Sequence, residues 1–225
     1  MTILAVTGLI REAEIVGARD VVAVAGGGDA AGLAQKLEAL HGDIRGVISI
    51  GLGGALSPLL NVGDVVVADQ VVADGGGRKG RTWDCHEAWR VRLVSRLPQA
   101  HQGQVFGSGA ILDSAESKAA CHERTGALAV DMESHVAASF AAARNLPLAA
   151  LRVISDDARH VLPPAALVAM KPDGGIAMGR VVGSLARNPL QIPALVRTAR
   201  GSSRAFAELL RCRDLLGVGL AGADL

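Results

Sequence analysis

The chain has 225 residues, a formal net charge of +1 and a composition that is 50% hydrophobic, so it can bury a sizeable core as one large domain or two small ones. With three Phe, two Trp and no Tyr, that core is built from Ala, Val, Leu and Gly. The near-neutral charge and missing aromatic platforms argue against a nucleic-acid partner. Three scattered cysteines, Cys85, Cys121 and Cys212, with no CxxC spacing, fit a reducing compartment and give a cytoplasmic expectation.

The N-terminal stretch MTILAVTGLIREAE turns acidic after a few apolar residues and reads as neither a signal peptide nor a membrane span. Its residues 2–7 (TILAVT) predict a buried strand, with Glu12 just beyond at a helix start. Residues 20–25 predict a second strand, and 29–40 a helix capped by Asp29. Residues 45–51 predict a strand that runs into Gly51-Leu52-Gly53-Gly54, read as a tight turn. Glycine there lets the backbone approach a ligand and offer N–H groups to an anion or a sugar oxygen. This run is neither GxGxxG nor a P-loop, so Rossmann and NTPase readings fail.

A further strand is predicted at 63–73, then a helix at 114–124. Ser114 caps that helix, and Ser117 stands where a full capping box has an acid. Strand 127–131, an Ala-rich helix over 132–144 and strand 146–155 follow, with Pro147 marking the helix exit. Alternating strands and helices predict an α/β sandwich with both sheet faces covered, in a single domain over 1–225. Residues 163–216 differ: they are helical, Pro-punctuated and basic. Arg187, Arg197, Arg200, Arg204, Arg211 and Arg213 face only Glu208 and Asp214.

Two acid clusters bracket an apolar run: Asp131-Met132-Glu133 at its entry and Ser155-Asp156-Asp157 at its exit. Singly, each has a plain explanation. Glu133 suits a helix N-terminus, Asp156-Asp157 caps the next segment, and Glu12 is a solvated first-turn acid. Together they fall on one rim of the sheet, at the carboxyl ends of strands, where open α/β sheets bind ligands. The pairs Cys85-His86 and Cys121-His122 are adjacent residues without finger spacing, so no metal site is expected.

The ordered set ILAVTGLIREAE, GLGGALSPLLNVGDVVVAD, GSGAIL, VDMES and LRVISDDA, spanning residues 2 to 158, resembles the purine and uridine phosphorylase superfamily. The branch it resembles within that superfamily is the methylthioadenosine/adenosylhomocysteine nucleosidases. The resemblance implies a three-layer sandwich around a central mixed sheet and cleavage of an N-glycosidic bond, without cofactor or metal. It makes Asp156 the general acid on the purine, supported by Ser155. Glu133 would hold the ribose hydroxyls, Met132 would pack on the sugar, and Glu12 would activate water. Gly51, Leu52 and Gly53 would line the nucleophile side, and Ser108, Ile111 and Leu112 would meet the base. The acid and aromatic expected at Ala110 and Ile111 to Leu112 are absent, so the base contact is aliphatic.

Two departures matter. The phosphorylases place an arginine and a hydroxyl where this chain has Ser49 and Leu52, so water is favoured over phosphate, with Arg11 or Arg152 as alternative sources of charge. The basic tail over 174–210 is similar to that of the hopanoid-associated group, which acts on adenosylhopane in bacteriohopanepolyol synthesis. That likeness implies a nucleoside with a lipid tail, peripheral contact with the inner face of the membrane, and a homodimer. The tail reads equally as outer helices that only pack. A phosphorolytic enzyme, a methylthioadenosine/adenosylhomocysteine nucleosidase and a catalytically silent nucleoside-binding module remain alternatives.

Overall fold

The computed structural model describes residues 2–75 and 80–222. Eight strands form one mixed sheet. They are β1 (Thr2–Thr7), β2 (Val21–Ala25), β3 (Ile44–Ala55), β4 (Val65–Ala73), β5 (Arg81–Asp84), β6 (His101–Gly107), β7 (Ala129–Asp131) and β8 (Leu148–Asp156). The order is β2-β1-β3-β7-β6-β4-β5, and β8 bridges β3 and β4. Strand β1 runs parallel to β2 and β3, and β3 runs parallel to β8. The carboxyl ends of β1, β3 and β8 therefore share one rim.

Alternation along each strand sends side chains to opposite faces. In β1, Leu4 and Val6 join a cluster with Leu33 and Leu37 of α2 (Ala30–Glu38) and Phe140 of α5 (Ser134–Ala143). Ile3 and Ala5 join the other cluster, which holds Val16 of α1 (Ile10–Val16), Trp89 and Leu93 of α3 (Glu87–Arg96), and Leu209 and Cys212 of α8 (Ile192–Leu216). This is the expected three-layer sandwich. A smaller cluster seats α4 (Ala115–Thr125) through Cys121 against Phe106 and Val130. Among the described residues no helix is long and apolar enough to cross a membrane.

Three elements went unread in the sequence. Strand β6 starts His-Gln-Gly-Gln, β5 is a four-residue edge strand, and α3 carries three arginines on a short amphipathic face. None presents the apolar run that marked the others. The glycine segment is a correction. Gly51 to Gly54 do not turn: they stay in β3 and pair with Arg152 to Asp156 of β8, with a register shift between Gly53 and Gly54. Extended glycines are needed because a Cβ would meet Glu12 at Gly51, the Val130 carbonyl at Gly53 and Asp156 at Gly54, at 2.7, 2.9 and 3.0 Å. Ser117 does complete the capping box of α4, its hydroxyl accepting from the Ser114 N–H at 3.3 Å.

The basic tail divides. Ala205, Phe206, Leu209 and Leu216 of α8 are buried, so its second half is a core helix. Arg211 pairs with Glu208, and Arg213 with Asp214. Beyond the short α6 (Pro164–Leu167), along α7 (Met178–Arg187), the 3-10 turn Pro189–Gln191 and the start of α8, Met178, Val182, Leu190, Ile192 and Val196 are exposed.

Candidate active site

A cavity of about 220 Å³ opens at the shared rim. Of the residues singled out in the sequence, Glu12, Leu52, Gly53, Ile111, Leu112, Met132, Glu133, Ser155 and Asp156 line it. Gly51 and Ser108 do not. Gly51 lies behind Glu12 and makes room for its carboxylate. The Ser108 hydroxyl is turned into its own loop, donating to the Ala110 carbonyl and accepting from the Ala110 N–H. Leu162, Met170 and Ser202 complete the lining, so the tail contributes to the cavity. Gly201 lets α8 cross the end of β8, since a Cβ there would lie 2.3 Å from the Ser155 carbonyl.

Glu12 sits at the third position of α1 and is 2% exposed. Its Oε2 accepts from the Gly8 and Leu9 N–H groups at 2.7 and 2.9 Å, and its Oε1 accepts from Leu52 N–H at 2.9 Å. Burial raises its pKa above the ordinary carboxylate value, while those donors and the Arg152 charge pull it down. A carboxylate fixed from three sides and biased toward holding a proton is equipped to take one from water.

Glu133 begins α5, yet it does not cap that helix. Asp131 does, accepting from the Glu133 and Ser134 N–H groups at 3.1 and 2.9 Å. The Glu133 carboxylate is freed to face the cavity, where Gly28 N–H donates to it at 3.1 Å. Burial, then the Asp131 and Glu12 charges, push its pKa up to about 7 against the pull of Arg152. The loop Gly26-Gly27-Gly28 that supplies this donor went unread, although three glycines directly after a strand were its signal.

Arg152 and Ser49 are not at the cavity. Alternation along β8 turns Arg152 toward α5. There it pairs with Asp131 and donates to the Ser49 and Ser134 hydroxyls and the Leu151 carbonyl. Arg11 lies over the Phe206 ring at 4.3 Å and also does not line the cavity. Neither arginine therefore supplies the charge of a phosphate site. His86 caps α3 and His122 binds the Ala127 carbonyl, so both imidazoles beside cysteines serve local structure.

Asp156 ends β8. Its Oδ1 accepts from the Ser155 hydroxyl at 2.7 Å, and its Oδ2 pairs with the Lys118 ammonium. Lys118 comes from the first turns of α4 and is 1% exposed. It was missed because SAESKAAC reads as an ordinary solvated helix. Among the described residues it is the only Lys or Arg lining the cavity.

A mixed sheet with three carboxylates converging on one rim, each at or just beyond the end of a different strand, defines an α/β protein built to handle a small polar ligand. Residues 3–182 match the Phosphorylase superfamily, and the chain belongs to that family. A futalosine hydrolase of Streptomyces coelicolor is 32% identical over 124 residues, the match covering 49% of this chain and 53% of that one. The chain thus aligns with about half the length of that relative. An MTA/SAH nucleosidase structure of Streptococcus pneumoniae, solved with 8-aminoadenine, superposes with a TM-score of 0.62 at 20% identity, covering 92% of this chain and 99% of that one. Futalosine hydrolase of Helicobacter pylori gives a TM-score of 0.61 at 17% identity, covering 95% and 97%. The structural likenesses establish the shared fold.

Proposed function

We propose that this chain hydrolyses the N-glycosidic bond of an adenine nucleoside, adenosylhopane being the specific substrate, and releases adenine. The observation that carries the reading is the placing of Glu12, Glu133 and Asp156 around one cavity. Cleavage builds positive charge on the sugar and negative charge on the departing purine. Asp156 delivers a proton to a purine ring nitrogen as the bond's electron pair moves onto the base. Glu133 accepts hydrogen bonds from the vicinal ribose hydroxyls. Glu12 takes the proton of the attacking water on the opposite side.

Water is the nucleophile in this reading because Arg152 and Ser49 are committed to Asp131 and Ser134, and Lys118 to Asp156, which leaves an anion without a free charged partner among the described residues lining the cavity. The likeness to two enzymes named hydrolase or nucleosidase supports the same choice. The cavity of about 220 Å³ is below the roughly 300–1,000 Å³ of pockets that enclose whole ligands. A bulky 5′ substituent then extends out through the mouth of the cavity, whose lining includes the apolar Ile111, Leu162 and Met170. The reading includes a cytoplasmic homodimer that meets its lipid-bearing substrate at the inner face of the membrane.

The test is mass spectrometry of the products from adenosylhopane, methylthioadenosine and inosine, with and without phosphate. Free adenine and a free ribosyl lipid, at a rate indifferent to phosphate, are expected. A sugar 1-phosphate whose formation scales with phosphate would replace hydrolysis by phosphorolysis.

A further inference from the structure

The reaction above gives Lys118 no part, although its ammonium pairs with Asp156. Its ammonium has three protons, and all are committed: to Asp156 Oδ2, to the Asp157 carbonyl at 3.0 Å and to the His160 carbonyl at 3.2 Å. It is buried, and a buried ammonium surrounded by neutral carbonyls is costly unless an anion neutralises it. Asp156 is the carboxylate in contact with it. The other charged or titratable groups at the cavity, Glu12, Asp131 and Glu133, are held by main-chain donors or by Arg152. His160, whose pKa burial lowers, gives its Nε2 to Thr198.

We propose that Lys118 is a specificity-determining residue: by fixing Asp156 as a carboxylate it makes the base subsite select a 6-aminopurine over a 6-oxopurine. The inference rests on reading the cavity as a purine site. A carboxylate only accepts hydrogen bonds. The 6-aminopurine edge offers a donor at the exocyclic amine beside the N7 acceptor, whereas the 6-oxopurine edge presents two acceptors, O6 and N7. Against Asp156 the first gains a charge-assisted hydrogen bond and the second gains only repulsion. Lys118 cannot swing to serve O6 without surrendering a partner, because it has no uncommitted proton. When the glycosidic bond breaks, Lys118 passes a proton to Asp156 Oδ2 and the carboxyl group hands it on to the ring nitrogen, so Asp156 begins and ends the step as a carboxylate. The neutral amine left behind regains its proton from solvent.

The experiment compares binding of free adenine and free hypoxanthine to the full chain by calorimetry, so that the readout does not depend on turnover. The same comparison is made on Lys118→Met and on the double variant Lys118→Met/Asp156→Asn, which exchanges the ion pair for a neutral pair of similar volume. Wild type should prefer adenine by roughly 10- to 100-fold, the range of a hydrogen bond to a charged group. Both variants should lose most of that preference, and Lys118→Arg should keep part of it. Equal binding of the two bases by wild type overturns the inference. So does a preference that persists in both variants, since Lys118 would then be merely structural. Failure of wild type to bind either base would instead sink the purine reading itself.

Discussion

The Leu52 main-chain N–H donates to Glu12 Oε1 at 2.9 Å, tying the acid of α1 to the glycine segment of β3. Gly51, one residue earlier, has no side chain because the Glu12 carboxylate occupies that space. The position of the Glu12 carboxylate and the packing of β3 are therefore one arrangement here.

Gly51→Ala would place a methyl 2.7 Å from Glu12 Oε2. The carboxylate has to move off its three donors, so turnover should fall by about 10²-fold or more, the scale of losing a positioned general base. Circular dichroism should report a retained fold and adenine binding should survive. Turnover close to wild type would mean that the position of Glu12 is not critical.

Asp156→Asn should lower turnover by about 10²-fold or more. Near-wild-type turnover would move the role to Asp157, whose carbonyl already contacts Lys118 at 3.0 Å.

Glu133→Gln should weaken ribonucleosides more than 2′-deoxyribonucleosides, because only the former present both hydroxyls to the carboxylate. Equal losses on the two classes, read as kcat/KM, would count against a ribose contact.

The same substitution has a signature in stability. The Glu133 pKa is pushed up to about 7 from an ordinary 4.5, so its protonated form is favoured in the folded chain. That contribution is fully present below about pH 4.5 and is lost as pH climbs through about 7. Above that window, ionised Glu133 costs up to about 3 kcal/mol, taking 1.36 kcal/mol per unit. Glu133→Gln should therefore gain Tm over wild type at pH 8.5 and gain less at pH 5. A Tm difference independent of pH would refute the cause given for the shift.

Membrane contact should be carried by the exposed start of the tail, since the second half of α8 is spent on the core. Arg187, Arg197 and Arg200 are exposed beside Leu190 and Val196, each worth roughly 1 kcal/mol at an anionic surface. The full chain should co-sediment with anionic liposomes at low salt, and binding should fade with added salt or when these arginines become Gln. No sedimentation at low salt would leave the lipid substrate without a surface mechanism.

Local pattern in the sequence determined the strands carrying Leu4, Val66 and Leu151, because a strand buried on both faces has to be a continuous apolar run. It also determined which carboxylates lie at or just beyond strand ends, and so put Glu12, Glu133 and Asp156 on one rim. What the tertiary structure decided were interactions between distant segments. Whether Gly51 to Gly54 turn or extend depends on β8 lying alongside, some hundred residues later. Whether Arg152 serves an anion site depends on Asp131 and Ser134 meeting it beneath the sheet. Lys118 looks like any helix lysine until α4 lays it against the end of β8. A chain's periodicity records which face each residue prefers, whereas the charge a buried group meets is set by partners brought near only when the sheet assembles.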